Sequence, residues 1–322
     1  MAKSSYDLVV IGAGSAGLTA AEFSHQLGQR VALIEKVRIG GDCTWSGCVP
    51  SKALLKAAKL AHQMRTSQQY GLGMGEARVD FSAVMERVSG VVDQVYQGET
   101  PEVLQGKGIE VIEGSARFLD SKTLAIEPPN PSEASFNLTA RRFIIATGAK
   151  PFVPPIPGLE EVDYLTYETV WALRELPARL IVVGAGPIGC ELAQAFCRLG
   201  SSIILIEGAD RILLQDEPEV AELLSRQLTQ EGVDLRLGSA VQRAWQGDDG
   251  IHVDLGGSEV VGDALLMSVG RSANVTGLGL DEAGVAYTAK GIQVNNRLRT
   301  SQKRILAAGD CAGGFQFTHY AA

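Results

Sequence analysis

The chain has 322 residues, 45% of them hydrophobic, with 29 Lys and Arg against 37 Asp and Glu and a formal net charge of -8. That is enough apolar material for a sizeable core divided over two domains, and an acidic balance without a dense basic run argues against nucleic acid as a partner and against a polybasic membrane anchor. No uninterrupted apolar run reaches about 18 residues, and the start has no charged region followed by an apolar stretch and a cleavage site, so no membrane partner is expected and the expected address is the cytoplasm.

In chain order, the first element is an apolar, β-rich run from Leu8 to Ile11, followed by GAGSAGLTAAEFSHQLGQRVALIE at 12–35. A strand, a glycine turn, a helical pattern and a second strand ending on an acid make a βαβ unit. Gly12 permits the tight turn, Gly14 lets the backbone approach a pyrophosphate, and Gly17 allows close helix-to-strand packing. Helix N-terminal amides meet the phosphates, and Glu35 lies where a carboxylate accepts from a ribose diol.

Next comes GGDCTWSGCVPSKALL at 40–55, which places Cys43 and Cys48 five residues apart. In a regular helix that spacing separates the sulfurs by about 7.5 Å along the axis, beyond disulfide reach, so the segment is expected to loop, helped by Gly47. Apolar residues at helical spacing run from Ala53 to Met64, and Pro50 suits a first turn. Cys48 is therefore expected near a helix N-terminus, a setting that favours a thiolate, with Lys52 adding positive charge. In a reducing compartment such cysteines are more often metal ligands or a redox centre than a structural disulfide, and buried ordinary cysteines are the further alternative. With no second closely spaced Cys/His pair to complete four ligands, no metal site is expected.

FIIATGAKPFVPP at 143–155 gives a strand, a glycine turn and a proline-rich crossing that reads as a domain boundary. After it, GAGPIGCELAQAFCRLGSSIILIE at 184–207 aligns without a gap on 12–35. Gly184, Gly186, Gly189 and Glu207 repeat the first set, so the chain carries two dinucleotide folds. Glu191 stands where the first copy has Thr19. The second copy closes at LLMSVGRSANVTGLGL (265–280), and ILAAGDCAGG (305–314) then puts Gly309 and Asp310 after an apolar strand. The expected fold class is α/β, with two Rossmann-like domains, one (150–272) inserted in another formed by 1–149 and 273–322. Cys190, Cys197 and Cys311 read as packing residues, and His25, His62 and His252 as surface or packing histidines. His319 is not expected to be a catalytic base.

Taken together, Cys43, Cys48, Pro50, Ser51 and Lys52 in the pattern C-x4-C-x-P-S-K, followed in order by ATGAKP, VGRSAN and AAGDC, resemble the flavin-dependent pyridine nucleotide-disulfide oxidoreductases. This group contains glutathione reductase, dihydrolipoamide dehydrogenase and mercuric reductase. The resemblance spans nearly the whole chain, and GGD and CTWSGC most resemble the mercuric-reductase-like branch. It implies FAD at the first glycine set, a nicotinamide dinucleotide at the second and a redox-active disulfide between Cys43 and Cys48. Cys48 would lie nearer the flavin, and Cys43 would attack a small-molecule disulfide or ligate a metal-ion acceptor such as Hg(II). By the same resemblance, Glu191 pairs with Lys52 beside the flavin. The cofactor-binding set also takes in Lys36, Gly41, Asp42, Ala116, Thr147, Gly148, Gly270 and Arg271. Glu207 favours NADH over NADPH, with Arg211 as the residue that could reach a 2′-phosphate instead. Pro187 stands where some relatives place a tyrosine over the flavin.

The resemblance also implies an interface domain beyond Asp310 that forms a homodimer and supplies a histidine from the partner subunit, so this chain is expected to be a fragment without it. Two other readings stay open. One is a dihydrolipoamide dehydrogenase working in the NAD-reducing direction, and the other is a flavin and thiol redox sensor without turnover.

Overall fold

The computed structural model describes residues 3–73 and 78–322. The chain forms two compact units. The first comprises 1–48, 93–150 and 271–322, and the second 49–92 and 151–270, so the second is inserted in the first.

In the first unit a seven-stranded sheet is parallel at its centre. Glu110–Glu113, Val31–Glu35, Lys3–Ile11 and Phe136–Ile145 lie side by side in that order. Phe136–Ile145 is long enough to serve two neighbours on its other edge. Its first half pairs antiparallel with Thr123–Glu127, and Phe143 to Ile145 pair in parallel with Ile305–Ala307. The central strands are buried on both faces, as near-continuous Val, Ile and Leu runs require. Val9, Phe143, Ile145 and Ile305 are completely or almost completely covered on one side, with Val10 and Leu33 on the other. The first glycine helix, Ser15–Gln26, returns the chain from Ile11 to Val31.

The second unit repeats the plan with four parallel strands, ordered Asp234–Arg236, Ser202–Ile206, Arg179–Val183 and Ala264–Met267. The second glycine helix, Pro187–Leu199, starts with a proline at its first position, where the missing amide costs nothing. A three-stranded antiparallel sheet of Arg243–Gly247, Gly250–Asp254 and Glu259–Gly262 accompanies it.

Residues 49–92 fall in this second unit, whereas the sequence reading counted them with the first domain. The reason is apolar packing. Leu54, Ala58, Phe81, Met85 and Val88 share one core with Leu192, Ala193 and Phe196, and the Phe81 and Phe196 rings meet at 5.7 Å. Among the described residues no helix is long and apolar enough to cross a membrane.

Candidate active site

The two glycine loops are built alike. Gly12 and Gly184 both take φ of 101°, a left-handed conformation that side chains resist. A Cβ at Gly12 would strike the Ala146 carbonyl, and one at Gly184 would lie 2.5 Å from the Ser268 oxygen. At Gly17 and Gly189 a Cβ would collide with the carbonyls of Gly12 and Gly184, which fixes the close helix-to-strand approach. The middle glycines differ. Gly14 faces Gly41, whose own Cβ would come 2.7 Å from the Gly14 Cα, while at Gly186 a Cβ would meet nothing within 4 Å.

Each terminal acid is tied back to its loop. Glu35 accepts from the amides of Ala13 at 2.7 Å and Val37 at 2.8 Å, and Glu207 from those of Ala185 at 2.8 Å and Ala209 at 3.1 Å. A carboxylate oxygen has further lone pairs, so both acids keep acceptor capacity for a ribose diol. A glycine without side chain in the middle of the turn, amides at a helix start and an anchored carboxylate together fit a dinucleotide in each loop.

Several other expected residues gather in the first unit. The Arg271 guanidinium bonds the Asp42 carboxylate and lies 2.5 Å from Asp310 Oδ2, with only 13% of either side chain of that second pair exposed. A desolvated arginine between two acids is held rigidly, because removal of either partner leaves charge buried. Thr147 Oγ1 donates to the Asn274 carbonyl at 2.7 Å, and the Gly148 carbonyl accepts from the Asn274 amide at 3.0 Å. Ala116 is buried two residues beyond Gly114, whose amide bonds the Glu35 carbonyl. Lys36 is exposed. In the second unit Gly270 follows the Ser268–Val269 segment that backs Gly184, and it takes φ of 132°.

The cysteine segment does not form an open loop. Gly41–Trp45 is a short helix carrying Cys43, and a second helix, Cys48–Thr66, begins at Cys48 itself. The break lies at Ser46 and Gly47, whose amides both return to the Asp42 carbonyl, and a Cβ at Gly47 would sit 2.8 Å from that oxygen. Neither cysteine is joined in a disulfide, and both are half-buried. Burial pushes the Cys43 thiol up, and the adjacent Cys48 sulfur adds to this, against lowering hydrogen bonds from Thr318 and Ser15. Cys48 Sγ is 3.2 Å from Thr318 Oγ1. Trp45, between the cysteines, donates to the Ile39 carbonyl at 2.7 Å, stacks obliquely on Tyr96 and carries the Arg38 guanidinium over its ring.

Within the second unit Lys52 Nζ lies 3.0 and 3.2 Å from the two oxygens of Glu191. Both side chains are well exposed, so the pair contributes little to stability. Cys190 is buried, donates to the Ala185 carbonyl and is pushed up to about 12 by that burial, and Cys311 is fully buried. Arg211 donates to the carbonyls of Leu213, Leu214 and Asp216.

Three residues went unnoticed in the sequence: Ser15, Thr318 and Ser268, whose hydroxyl bonds the carbonyls of Val183 and Gly184. Ser15 and Ser268 sit inside or beside motifs already quoted, so position within GAGSAG and MSVGR was a usable signal. Thr318 carried none, because its neighbours in the fold are 270 residues away in sequence.

Two Rossmann-like folds, one inserted in the other, with Cys43 and Cys48 in the first, define a protein of the double dinucleotide-fold class. The family model described as pyridine nucleotide-disulphide oxidoreductase matches residues 6–322, and the chain belongs to that family. It is 37% identical over 322 residues to a mercuric reductase of Staphylococcus aureus, covering 98% of this chain and 58% of that protein. To a dihydrolipoyl dehydrogenase of Bacillus subtilis (strain 168) it is 35% identical, covering 98% and 69%. The Cu(II) complex of the HOCl-induced flavoprotein disulfide reductase RclA from Escherichia coli superimposes with a TM-score of 0.88 at 30% identity, covering 99% of this chain and 68% of that one. The chain thus spans little more than half the length of the mercuric reductase it matches.

Proposed function

We propose that the chain carries the electron-transfer part of an FAD-dependent reductase. Electrons from a reduced nicotinamide dinucleotide open a Cys43–Cys48 disulfide, and the resulting thiols reduce a soft metal ion or a disulfide. Overall, NADH and one proton would convert the disulfide to two thiols and NAD⁺. The observation that carries this reading is the cysteine pair itself, with Cys43 on the short helix Gly41–Trp45 and Cys48 opening the next helix, in a segment whose Gly41 backs Gly14 of the first glycine loop.

FAD, when bound at the first loop, would supply the two-electron chemistry that links nicotinamide to sulfur. Gly12, Gly14, Gly17, Glu35, Gly41, Asp42, Thr147, Gly148, Arg271 and Asp310 would hold it. Gly184, Gly186, Gly189 and Glu207 would hold the nicotinamide dinucleotide. Lys52, steered by Glu191, would place a positive charge where reduced flavin needs one. Cys48, at the helix start, would be the sulfur that exchanges electrons with the flavin, and Cys43 would attack or ligate the acceptor.

Soft thiolates suit soft metal ions, and among the described residues no group of three or more His, Cys, Asp or Glu could hold a metal, so acceptor binding would fall to the two sulfurs. The similarity to mercuric reductase and to the Cu(II)-bound reductase favours a metal-ion acceptor. The dihydrolipoyl dehydrogenase similarity favours a second reading, in which a reduced dithiol substrate feeds electrons back to NAD⁺. Homodimerisation of the whole protein belongs to the same proposal.

Turnover of the flavin-loaded protein with Hg(II), Cu(II), glutathione disulfide, lipoamide and a quinone-type dye separates these readings. Cys43→Ser and Cys48→Ser should each abolish reduction of the metal ions and disulfides while NADH oxidation by the dye persists. Turnover with the metal ions that survives both substitutions would show that the thiols are not in the path.

A further inference from the structure

We propose that Arg211 is a positioning residue for the second glycine loop. By clamping the turn 211–216 it holds Leu213 in a left-handed conformation, the Leu213 amide pins the Ala185 carbonyl, and the Gly186 N–H is thereby presented to the pyrophosphate of a dinucleotide. The inference rests on that loop being the site of the nicotinamide dinucleotide.

The contacts form one chain. Arg211 donates through Nη1 to the carbonyls of Leu213 at 3.0 Å and Asp216 at 3.1 Å, and through Nη2 to that of Leu214 at 2.8 Å. Leu213 sits at φ of 48°, a conformation that residues with a Cβ rarely adopt, and its amide bonds the Ala185 carbonyl at 2.9 Å. Packing explains the kink. Ile212 is buried in the core of the second unit and Leu213 packs on that same core, whereas successive side chains of an extended segment point to opposite faces. Three carbonyls converging on one planar, permanently charged guanidinium then hold the turn in this shape.

A peptide plane carries its C=O and N–H on opposite sides, so a pinned Ala185 carbonyl fixes the direction of the Gly186 N–H. That amide counts for more here than Gly14 does in the first copy. The residue after it, Pro187, is the first of the helix Pro187–Leu199 and has no N–H to offer an anion, whereas Ser15 supplies one at the same place in the first copy. The first copy pins the equivalent peptide by other means. Its Ala13 carbonyl accepts the Gly40 amide at 2.8 Å, and Gly40 and Gly41 take φ of 101° and 57°, which glycine reaches without a clamp. Two copies that reach one arrangement through different residues point to the pinned peptide as the feature the fold maintains.

Calorimetric titration of the full chain, saturated with FAD, tests this with two probes: ADP-ribose, which carries the pyrophosphate, and adenosine, which keeps the ribose diol and lacks it. A wild-type chain that binds no ADP-ribose would overturn both this inference and the site reading beneath it. Where wild type binds, Arg211→Ala should raise the Kd for ADP-ribose roughly tenfold, the worth of one amide hydrogen bond, and that for adenosine by less than about twofold. Hydrogen exchange of the Leu213 amide should quicken in the same variant. Adding Leu213→Gly to Arg211→Ala should recover most of the affinity, because glycine takes the left-handed φ unaided and the missing charge is not replaced. The Kd ratio of variant to wild type should be the same at low and high KCl, and a ratio that collapses toward one in high salt would make Arg211 a direct phosphate charge instead. That collapse, an unchanged Kd or Leu213 exchange rate, an equal loss for adenosine, or a double variant no better than the single one overturns the clamp alone. Circular dichroism verifies that the variants fold, with Arg211→Gln as the substitute for alanine.

Discussion

At Glu207 both carboxylate oxygens already accept backbone amides, so the charge is pinned at the end of the strand Ser202–Ile206 and cannot swing aside for a 2′-phosphate. The one arginine close by in sequence, Arg211, spends its guanidinium on three carbonyls of the turn that follows. A phosphate there would face an uncompensated like charge, and two unit charges 4 Å apart near a protein surface repel by about 4 kcal/mol. Steady-state kinetics with the flavin-loaded protein should therefore favour NADH over NADPH in kcat/KM by roughly tenfold or more, even after generous allowance for screening. Equal values, or a preference for NADPH, would contradict the role given to Glu207. The acid was legible in the sequence because an apolar strand leads straight to it. The commitment of Arg211 was not, since it depends on which way a long side chain turns.

Among the elements, the three-stranded sheet of the second unit holds a group that responds to pH. His252 on Gly250–Asp254 has its Nδ1 2.6 Å from Glu259 Oε1 and its Nε2 2.7 Å from Asp249 Oδ1, and its ring stacks on Trp245. Hydrogen bonds to Glu259 and then to Asp249 raise it above its ordinary value of 6.5. A raised value in the folded state means that the clasp stabilises fully below 6.5 and that this contribution is lost as pH rises through the folded value. The Tm difference between wild type and His252→Gln should thus be widest near about pH 6 and close by about pH 9, with Trp245 emission following the same titration. A difference that does not vary with pH would rule the clasp out. Sequence reading saw only a surface or packing histidine, because its two acids become neighbours through a turn and a strand pairing. The thiol segment shows the same limit in another form: a break at Gly47 was foreseen, but the helix Gly41–Trp45 before it was not, five residues being too few for a periodic pattern.

For the molecule as a whole, the gapless internal repeat made the insertion of one dinucleotide fold in another legible. The affiliation of 49–92 was not, since which unit claims a helix is decided by the far side of its apolar face, here Leu192 and Phe196. If the first loop holds FAD, ligand linkage requires the loaded chain to outlast the stripped one. A ligand at a hundred times its Kd adds about 2.7 kcal/mol, so saturation with FAD should raise Tm by roughly 5 °C or more, while FMN, lacking the adenylate half, should do far less. Equal shifts from both would place the recognition outside the glycine loop and Glu35.

The unequal surroundings of the two middle glycines carry a consequence for residence time. Gly14 is backed by Gly41, and the Gly40 amide is bonded to the Ala13 carbonyl at 2.8 Å, so the first loop is walled by a second stretch of chain, whereas Gly186 opens on empty space. An occupant of the first loop would leave only when that wall parts, and one at the second would come and go without any rearrangement of the glycine turn. Dialysis should accordingly strip the second site within minutes and leave the first filled for hours, the difference between a prosthetic group and a co-substrate written in the neighbours of one glycine.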